Sequence, residues 1–270
     1  MEIWDVYDEK GNKLNKTISR EEKLLDNEYH LVCDCLVRHI DGSILLMKRD
    51  PSKKIYPSFY EATAGGSALV NETPLECVKR ELKEETGIEC DEFTLVNFEV
   101  SKDKHGIYYS YVCTVNCPKD SIILQEGETS DYKWVDLEEF KEFLESGLLV
   151  KSQSDRFKKY YDTFEIGYNF MVVIDRPLGS VHPQHKDIVY PVNYGYIKGR
   201  IGGDNEEQDA YVLALEDIPM KTYIGRLIGV VIRIDDNETK WIISNRDFSE
   251  KEILEKINFQ EKYFKSVLIK

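Results

Sequence analysis

Glu81, Glu84 and Glu85 stand at positions i, i+3 and i+4 of one segment, a spacing that places all three carboxylates on one face of a helix. Hard oxygen ligands gathered in this way suit Mg²⁺, which takes one or two carboxylates, keeps several waters and leaves room for a substrate phosphate. A solvated helix face would use similar residues, with Arg80 and Lys83 interleaved to relieve the repulsion. The frame around the glutamates separates the two readings. Five residues lie between Gly66 and Glu72, and seven more between Glu72 and Arg80. The chain then reads Arg80-Glu81-Leu82-Lys83-Glu84-Glu85-Thr86-Gly87-Ile88.

The elements that must position these groups can be read locally. Thr73-Pro74-Leu75-Glu76 is a helix start, with threonine at the N-cap, proline at the first helical position and glutamate at the third. Gly87 supplies the stop, because glycine adopts the left-handed conformation at least cost. Leu75, Val78 and Leu82 recur at helical spacing and are expected to face a core.

The run Gly66 to Ile88 resembles the complete signature of the Nudix hydrolases, with every defining position filled. The resemblance implies a Mg²⁺-dependent enzyme, with Mn²⁺ as a substitute, that cleaves a diphosphate linked to another group. It implies Glu84 and Glu85 as the principal metal ligands and Glu81 as a further ligand or water-activating base. Arg80 would pair with Glu72 and orient the glutamates. Gly65 and Gly66 would let backbone approach the phosphates, and Arg49 is a candidate substrate contact. A fourth carboxylate from a later loop is implied as well; Glu128 is the candidate, with Glu126 close behind. The fold implied for residues 1–150 is a mixed-sheet α/β/α sandwich.

The surrounding pattern is compatible with that fold. Ile3 to Tyr7 alternates, His30 to Val37 and Ser43 to Lys48 read as strands about the Asp41-Gly42 turn, and Gly106 to Val115 and Lys133 to Val135 are further strands. An acidic helix is expected from Asp136 to Glu145. His30, Ile44 to Arg49 and Tyr56 to Glu61 also resemble isopentenyl-diphosphate isomerases, relatives that place a catalytic cysteine and a metal-binding histidine just before the box. This chain has Ala62-Thr63-Ala64-Gly65-Gly66 there, with neither residue, which argues against isomerase activity. His30 is expected to be a strand histidine with a hydrogen bond rather than a ligand. Tyr108, Tyr109 and Tyr132 could stack on a base, although aromatic residues near strands usually serve the core.

A length of 270 residues suggests two domains, or one large one. A net charge of −14 disfavours broad binding to nucleic acid or anionic membrane, and no apolar run is long enough to span a bilayer. The start of the chain is acidic and carries no hydrophobic signal segment, so a cytoplasmic protein is expected. The six cysteines follow no zinc spacing and are expected to be reduced thiols.

Residues 151–166 are polar and predict a connecting helix, after which residues 167–270 open a new β pattern at Asn169 to Ile174. This second part resembles family I inorganic pyrophosphatases in three ordered segments: Tyr190-Pro191-Val192-Asn193-Tyr194-Gly195-Tyr196, Asp204 to Asp209, and Asp235 to Lys240. The resemblance implies a small β-barrel with Asp204, Glu206, Asp209, Asp236 and Glu238 around metal ions and with Arg176, Tyr194 and Lys240 on phosphate. The residues agree in kind, since oxygen-rich clusters suit Mg²⁺ and lysine adds a point charge for phosphate. Asp236 and Glu238 share a face if their segment is extended. Glutamate stands at two aspartate positions, and the upstream lysine and glutamate of those enzymes have no clear counterpart here. Ser249 to Phe264 carries a capping box and predicts a closing helix with Leu254, Ile257 and Phe264 inward.

Together these features describe an α+β chain, a Nudix sandwich followed by a small barrel. They point to a hydrolase of a nucleoside diphosphate derivative or related phosphoanhydride, with a second domain that hydrolyses or binds diphosphate. A small-molecule substrate is the expected partner, and an oligomer is compatible with the sequence. The alternative is a nucleotide or diphosphate sensor built on the same fold.

Overall fold

The computed structural model describes residues 2–270 and divides into two compact units, Met1–Phe157 and Lys158–Lys270. The first is mixed α/β. Its elements are β1 (Ile3–Tyr7), β2 (Lys13–Ser19), β3 (His30–His39), β4 (Ile44–Arg49), β5 (Tyr60–Ala62), β6 (Ala64–Ser67), α1 (Pro74–Thr86), β7 (Thr94–Ser101), β8 (Gly106–Val115), β9 (Thr129–Val135), α2 (Leu137–Ser146) and α3 (Lys151–Arg156). β1 and β2 form an antiparallel pair. The main sheet runs β5-β4-β3-β8-β7, with β6 also paired to β3 and β9 to β4. β3 and β8 are parallel; the other pairs in this sheet are antiparallel.

Helix α1 forms where the local signals put it. Thr73 and Glu76 complete a capping box, and Gly87 closes the helix at φ +74°. Cys77, Val78 and Leu82 are buried among Cys33, Cys35, Leu45 and Met47 of β3 and β4. Burying a side chain such as Leu82 is worth roughly 1.5–3 kcal/mol, which seats the helix on the sheet. Leu75 departs from expectation at 43% exposed. It has the phase of Leu82, but it lies in the first turn, which faces solvent.

The second unit contains α4 (Lys158–Tyr161), a 3₁₀ turn (Asp162–Glu165), β10 (Asn169–Arg176), β11 (Asn193–Ile201), β12 (Glu207–Val212), β13 (Thr222–Arg233), β14 (Thr239–Ser244), α5 (Glu250–Glu261) and β15 (Ser266–Ile269). Strand pairing follows β10-β11-β12-β14-β13 and returns from β13 to β10, with β15 added to β13. Tyr194, Tyr211, Val231 and Ile242 form a core with Ile253 and Ile257 of α5.

Three expectations are corrected here. Residues 151–166 do not form one helix. They break at the buried Phe157, because Gln153 and Arg156 bond within the first unit while Lys159 and Asp162 bond within the second. In α5 the inward residue is Ile253 and not Leu254, which is 41% exposed; Phe264 is half-buried, with the Arg233 guanidinium over its ring. Asp236 and Glu238 lie in the turn between β13 and β14 and not on an extended segment.

Candidate active site

In the first unit, Arg80 organises the glutamates. Its Nε and Nη2 donate to the two oxygens of Glu72 at 2.8 and 2.9 Å, while Nη1 reaches Glu81 at 2.8 Å and Glu84 at 3.0 Å. Nη2 also donates to the Ser67 carbonyl. Glu72 in turn accepts from the Leu69 amide, which fixes the loop ahead of the helix. Carboxylates on both sides hold the Arg80 guanidinium firmly protonated.

Glu85 is the most enclosed of the three helix glutamates, 7% exposed against 46% for the Glu84 side chain. It accepts one backbone hydrogen bond, from Gly65 at 3.3 Å. Burial raises its carboxyl well above the usual range, and the charges of Glu61, Glu81 and Glu128 raise it further. Glu81 is raised mainly by burial, against the lowering effect of Arg80. A side chain at Gly66 would run into the Glu81 carboxylate, so this glycine makes room for a protein group, whatever it does for phosphate.

Two further carboxylates join the cluster. Glu128 forms an ion pair with Lys53 and acts electrostatically on Glu85. Glu126 is exposed. Glu61, on β5, was not singled out by the sequence. Its carboxyl is raised by burial and lowered by Arg49, whose Nη1 sits 2.7 Å away. The Arg49 guanidinium is thus engaged by Glu61 and by the Ile55 carbonyl. Glu61 has no spacing relation to the helix; only its place beside the box, in Tyr60-Glu61-Ala62, hinted at it.

Among the described residues no His, Cys, Asp or Glu side chains form a ready-made cation cage. Arg80 and Lys53 instead occupy oxygens of Glu81, Glu84 and Glu128. The donor set nevertheless fits a hard divalent cation, since several carboxylate oxygens crowd the buried Glu85, whose hydrogen bond from the Gly65 amide is long at 3.3 Å. Of the tyrosines considered for base stacking, Tyr108 lies under Arg156, Tyr109 packs on Phe98, and Tyr132 packs against the core. His30 Nδ1 donates to the His105 carbonyl at 3.0 Å, and the ring stacks on Trp4. All six cysteines are free thiols.

The first unit has clear relatives. A NUDIX domain family model matches residues 28–154, and an inorganic pyrophosphatase model matches residues 149–267. An uncharacterized Nudix hydrolase of Listeria monocytogenes is 32% identical over 151 residues, covering 56% of this chain and 89% of the relative. The chain belongs to the Nudix hydrolases. It is accordingly an enzyme acting on phosphoanhydrides, fused to a pyrophosphatase-like domain. The isopentenyl-diphosphate Delta-isomerase of Corynebacterium diphtheriae is 27% identical over 145 residues, 50% of this chain and 79% of the isomerase. Among solved structures, DR0079 of Deinococcus radiodurans matches with TM-score 0.46 and 20% identity over 54% of this chain and 91% of that one. The MutT protein of Methanosarcina mazei matches with TM-score 0.41 and 26% identity over 54% and 99%.

Beyond the Nudix unit, the second unit gathers its own charges differently. Lys240 is 3% exposed and lies between Asp209, with which it pairs closely, and Glu238 at 2.5 Å. Glu238 also binds Arg233 at 2.7 Å, and Arg233 is paired to the buried Glu261 at 2.7 Å. Asp236 is 3.6 Å from Arg233. Tyr194 is buried beside Asp209, and its hydroxyl is raised well above the usual value by burial and then by that charge. Arg176 is held by its neighbour Asp175 at 2.6 Å. Asp204 is used locally, accepting from the Glu206 amide at 3.0 Å, and both residues are exposed. Gly203 lies so close to the Asn237 carbonyl that a side chain would collide with it, so the loop of Asp204 and Glu206 packs against the turn of Asp236 and Glu238.

Among the described residues no helix is long and apolar enough to cross a membrane.

Proposed function

We propose that the Nudix unit is a Mg²⁺-dependent hydrolase that cleaves the diphosphate bond of a nucleoside diphosphate derivative by attack of water at phosphorus. One observation carries the reading: Glu85 is buried amid Glu61, Glu81 and Glu128 with too little positive charge to match them. Such a cluster is costly unless a cation joins it. A divalent ion bound there would polarise a phosphoryl oxygen and lower the pKa of a bound water. Glu84 and Glu85 would be its principal ligands, with Glu81 and Glu128 in support. Arg80 bonds one oxygen of each of Glu81 and Glu84, which leaves the other oxygen of each to turn toward a cation. Its two bonds to Glu72 keep the guanidinium in place while that happens. Glu81, set against Gly66, would serve as a further ligand or as the base that activates water.

The hydrolase reading is preferred to an isomerase one because residues 62–66 hold no cysteine or histidine and the Glu81, Glu84 and Glu85 set is intact. It is preferred to a pure sensor because phosphate recognition alone does not require so many carboxylates.

For the second unit, the reading is a diphosphate-hydrolysing or diphosphate-binding module in a small β-barrel. The closed circuit of strand pairings and the Asp209–Lys240–Glu238 cluster beside Tyr194 support it. Inorganic diphosphate would be its substrate; the first unit would supply it from a nucleoside triphosphate cleaved between the α and β phosphates, whereas a nucleoside diphosphate derivative would yield two monophosphates and none.

The test is Mg²⁺-dependent product release from nucleoside di- and triphosphates, nucleotide sugars, dinucleotides and inorganic diphosphate, in wild type, Glu85→Gln and Asp209→Asn. Nucleotide turnover lost only in Glu85→Gln supports the first reading. Diphosphate turnover lost only in Asp209→Asn supports the second. Binding without turnover across the panel favours the sensor.

A further inference from the structure

A buried charge network lies behind the candidate active site, at residues to which the proposed chemistry assigns no part. Asp34 sits in the middle of β3 and is 3% exposed. Arg156, the last residue of α3, clamps it with Nε at 2.6 Å and Nη2 at 2.9 Å. Gln153, one turn earlier, approaches the same carboxylate at 3.4 Å, and Ser110 of β8 at 3.5 Å. The Arg156 guanidinium lies 4.4 Å from the Tyr108 ring centroid, which adds a cation–π contact.

Stability alone does not account for this arrangement. A buried ion pair commonly contributes no more than well-packed apolar residues of the same volume would. Its neighbours suggest another use. Asp34 is the cross-strand partner of Gly65, and a Cβ on Gly65 would stand 2.9 Å from Asp34 Oδ1. The Gly65 amide is the donor to Glu85. Gln153 also accepts from the Ala62 amide at 2.8 Å, directly after Glu61. The backbone between Glu61 and Gly65 is therefore held directly by Gln153 at Ala62 and flanked at Gly65 by Asp34, which Arg156 clamps in turn.

We infer that Arg156 and Gln153 are positioning residues for the Nudix centre, acting through Asp34 and Ala62 to fix the Glu61–Gly65 backbone against Glu85. Neither residue touches the reacting groups. The inference rests on the proposal that Glu85 holds a metal. It also extends the functional unit past residue 154, where the NUDIX family match stops.

The experiment compares full-length wild type, Arg156→Gln, the double variant Asp34→Asn/Arg156→Gln, and Glu85→Gln. Each is measured for affinity toward Mn²⁺ alone, for kcat and KM on a nucleotide turned over by wild type, and for thermal midpoint. Loss of an outer partner of a metal site typically costs about 10–100-fold in affinity or activity, and that range is expected for Arg156→Gln in both Mn²⁺ affinity and kcat. KM should stay within about threefold, because substrate contacts are untouched. In the double variant no charge is left unpaired, so the thermal midpoint should recover while Mn²⁺ affinity and kcat stay low. Recovery of all three together would reduce the pair to a stability role and overturn the inference. So would an Arg156→Gln protein with wild-type affinity and kcat, provided Glu85→Gln has lost its Mn²⁺ site. If Glu85→Gln keeps that site, the metal reading fails and the positioning role falls with it.

Discussion

The two acidic centres of this chain balance charge in opposite ways. In the Nudix unit, Glu61, Glu81 and Glu128 crowd a buried Glu85, and Arg49, Arg80 and Lys53 are paired with those three neighbours. In the second unit, Lys240 is shared by Asp209 and Glu238, and Arg233 by Glu238 and Glu261. The first centre is short of positive charge at its deepest group; the second has satisfied itself from its own side chains. A cation entering the first relieves a cost, whereas a cation entering the second must compete with a lysine already in place.

The largest effect should come from removing the carboxylate at the centre of the first cluster. Glu85→Gln is expected to lower nucleotide turnover on the order of 10³-fold, the scale of several kcal/mol of metal-assisted stabilisation, while leaving unchanged the diphosphate turnover proposed for the second unit. Steady-state kinetics on both substrates would check this, and an equal loss on both would erase the contrast.

Removing the cation at the second centre should act on stability. Lys240→Met leaves Asp209 without its partner while Glu238 keeps Arg233, and because both carboxylates are partly exposed the loss should fall below the roughly 3–5 kcal/mol of a fully buried pair broken from one side. Denaturant unfolding without metal should show that loss in the second unit, and added Mg²⁺ should recover part of it. No recovery would mean that the carboxylates do not take a cation.

A subtler contrast is in pH. The Glu85 carboxyl is raised by burial above its ordinary value of 4.5, so the folded chain keeps a proton that the unfolded chain gives up. The stability this group contributes is full below about pH 4.5 and is lost as pH rises through the raised value. Metal-free wild type should therefore lose thermal stability relative to Glu85→Gln over that window, and Mg²⁺ should narrow the gap, since it binds the deprotonated form. Parallel pH profiles for the two proteins would count against a buried, charge-starved Glu85.

The smallest effect is expected at the rim. Glu128 is paired with Lys53 and partly exposed, so Glu128→Gln should lower nucleotide turnover about tenfold, the lower end for an outer ligand. A loss as large as that of Glu85→Gln would promote Glu128 to a central role.

Much of the first unit was legible because its signals are local. The Thr73 cap, the Gly87 stop and the spacing of Glu81, Glu84 and Glu85 lie within one helix, where sequence separation and geometry correspond. Glu61 was missed because β5 brings it to the cluster through sheet pairing, for which no periodicity in the sequence stands. The same holds for Arg156, which meets Asp34 across 122 positions. The predicted linker at 151–166 failed for a related reason. A polar run looks like a solvated connector until its partners are known, and here Gln153, Arg156, Lys159 and Asp162 all find buried or half-buried ones. In the second unit the segments of Asp204 to Asp209 and Asp235 to Lys240 were visible, but their mutual approach depends on the Gly203–Asn237 contact, which no spacing reveals.

The most direct test of the difference between the two centres is a calorimetric titration of the metal-free chain with Mn²⁺, in wild type, Glu85→Gln and Asp209→Asn. The account predicts that the tighter binding event disappears in Glu85→Gln and survives in Asp209→Asn. An unchanged titration in Glu85→Gln, or loss of the tight event only in Asp209→Asn, would contradict it.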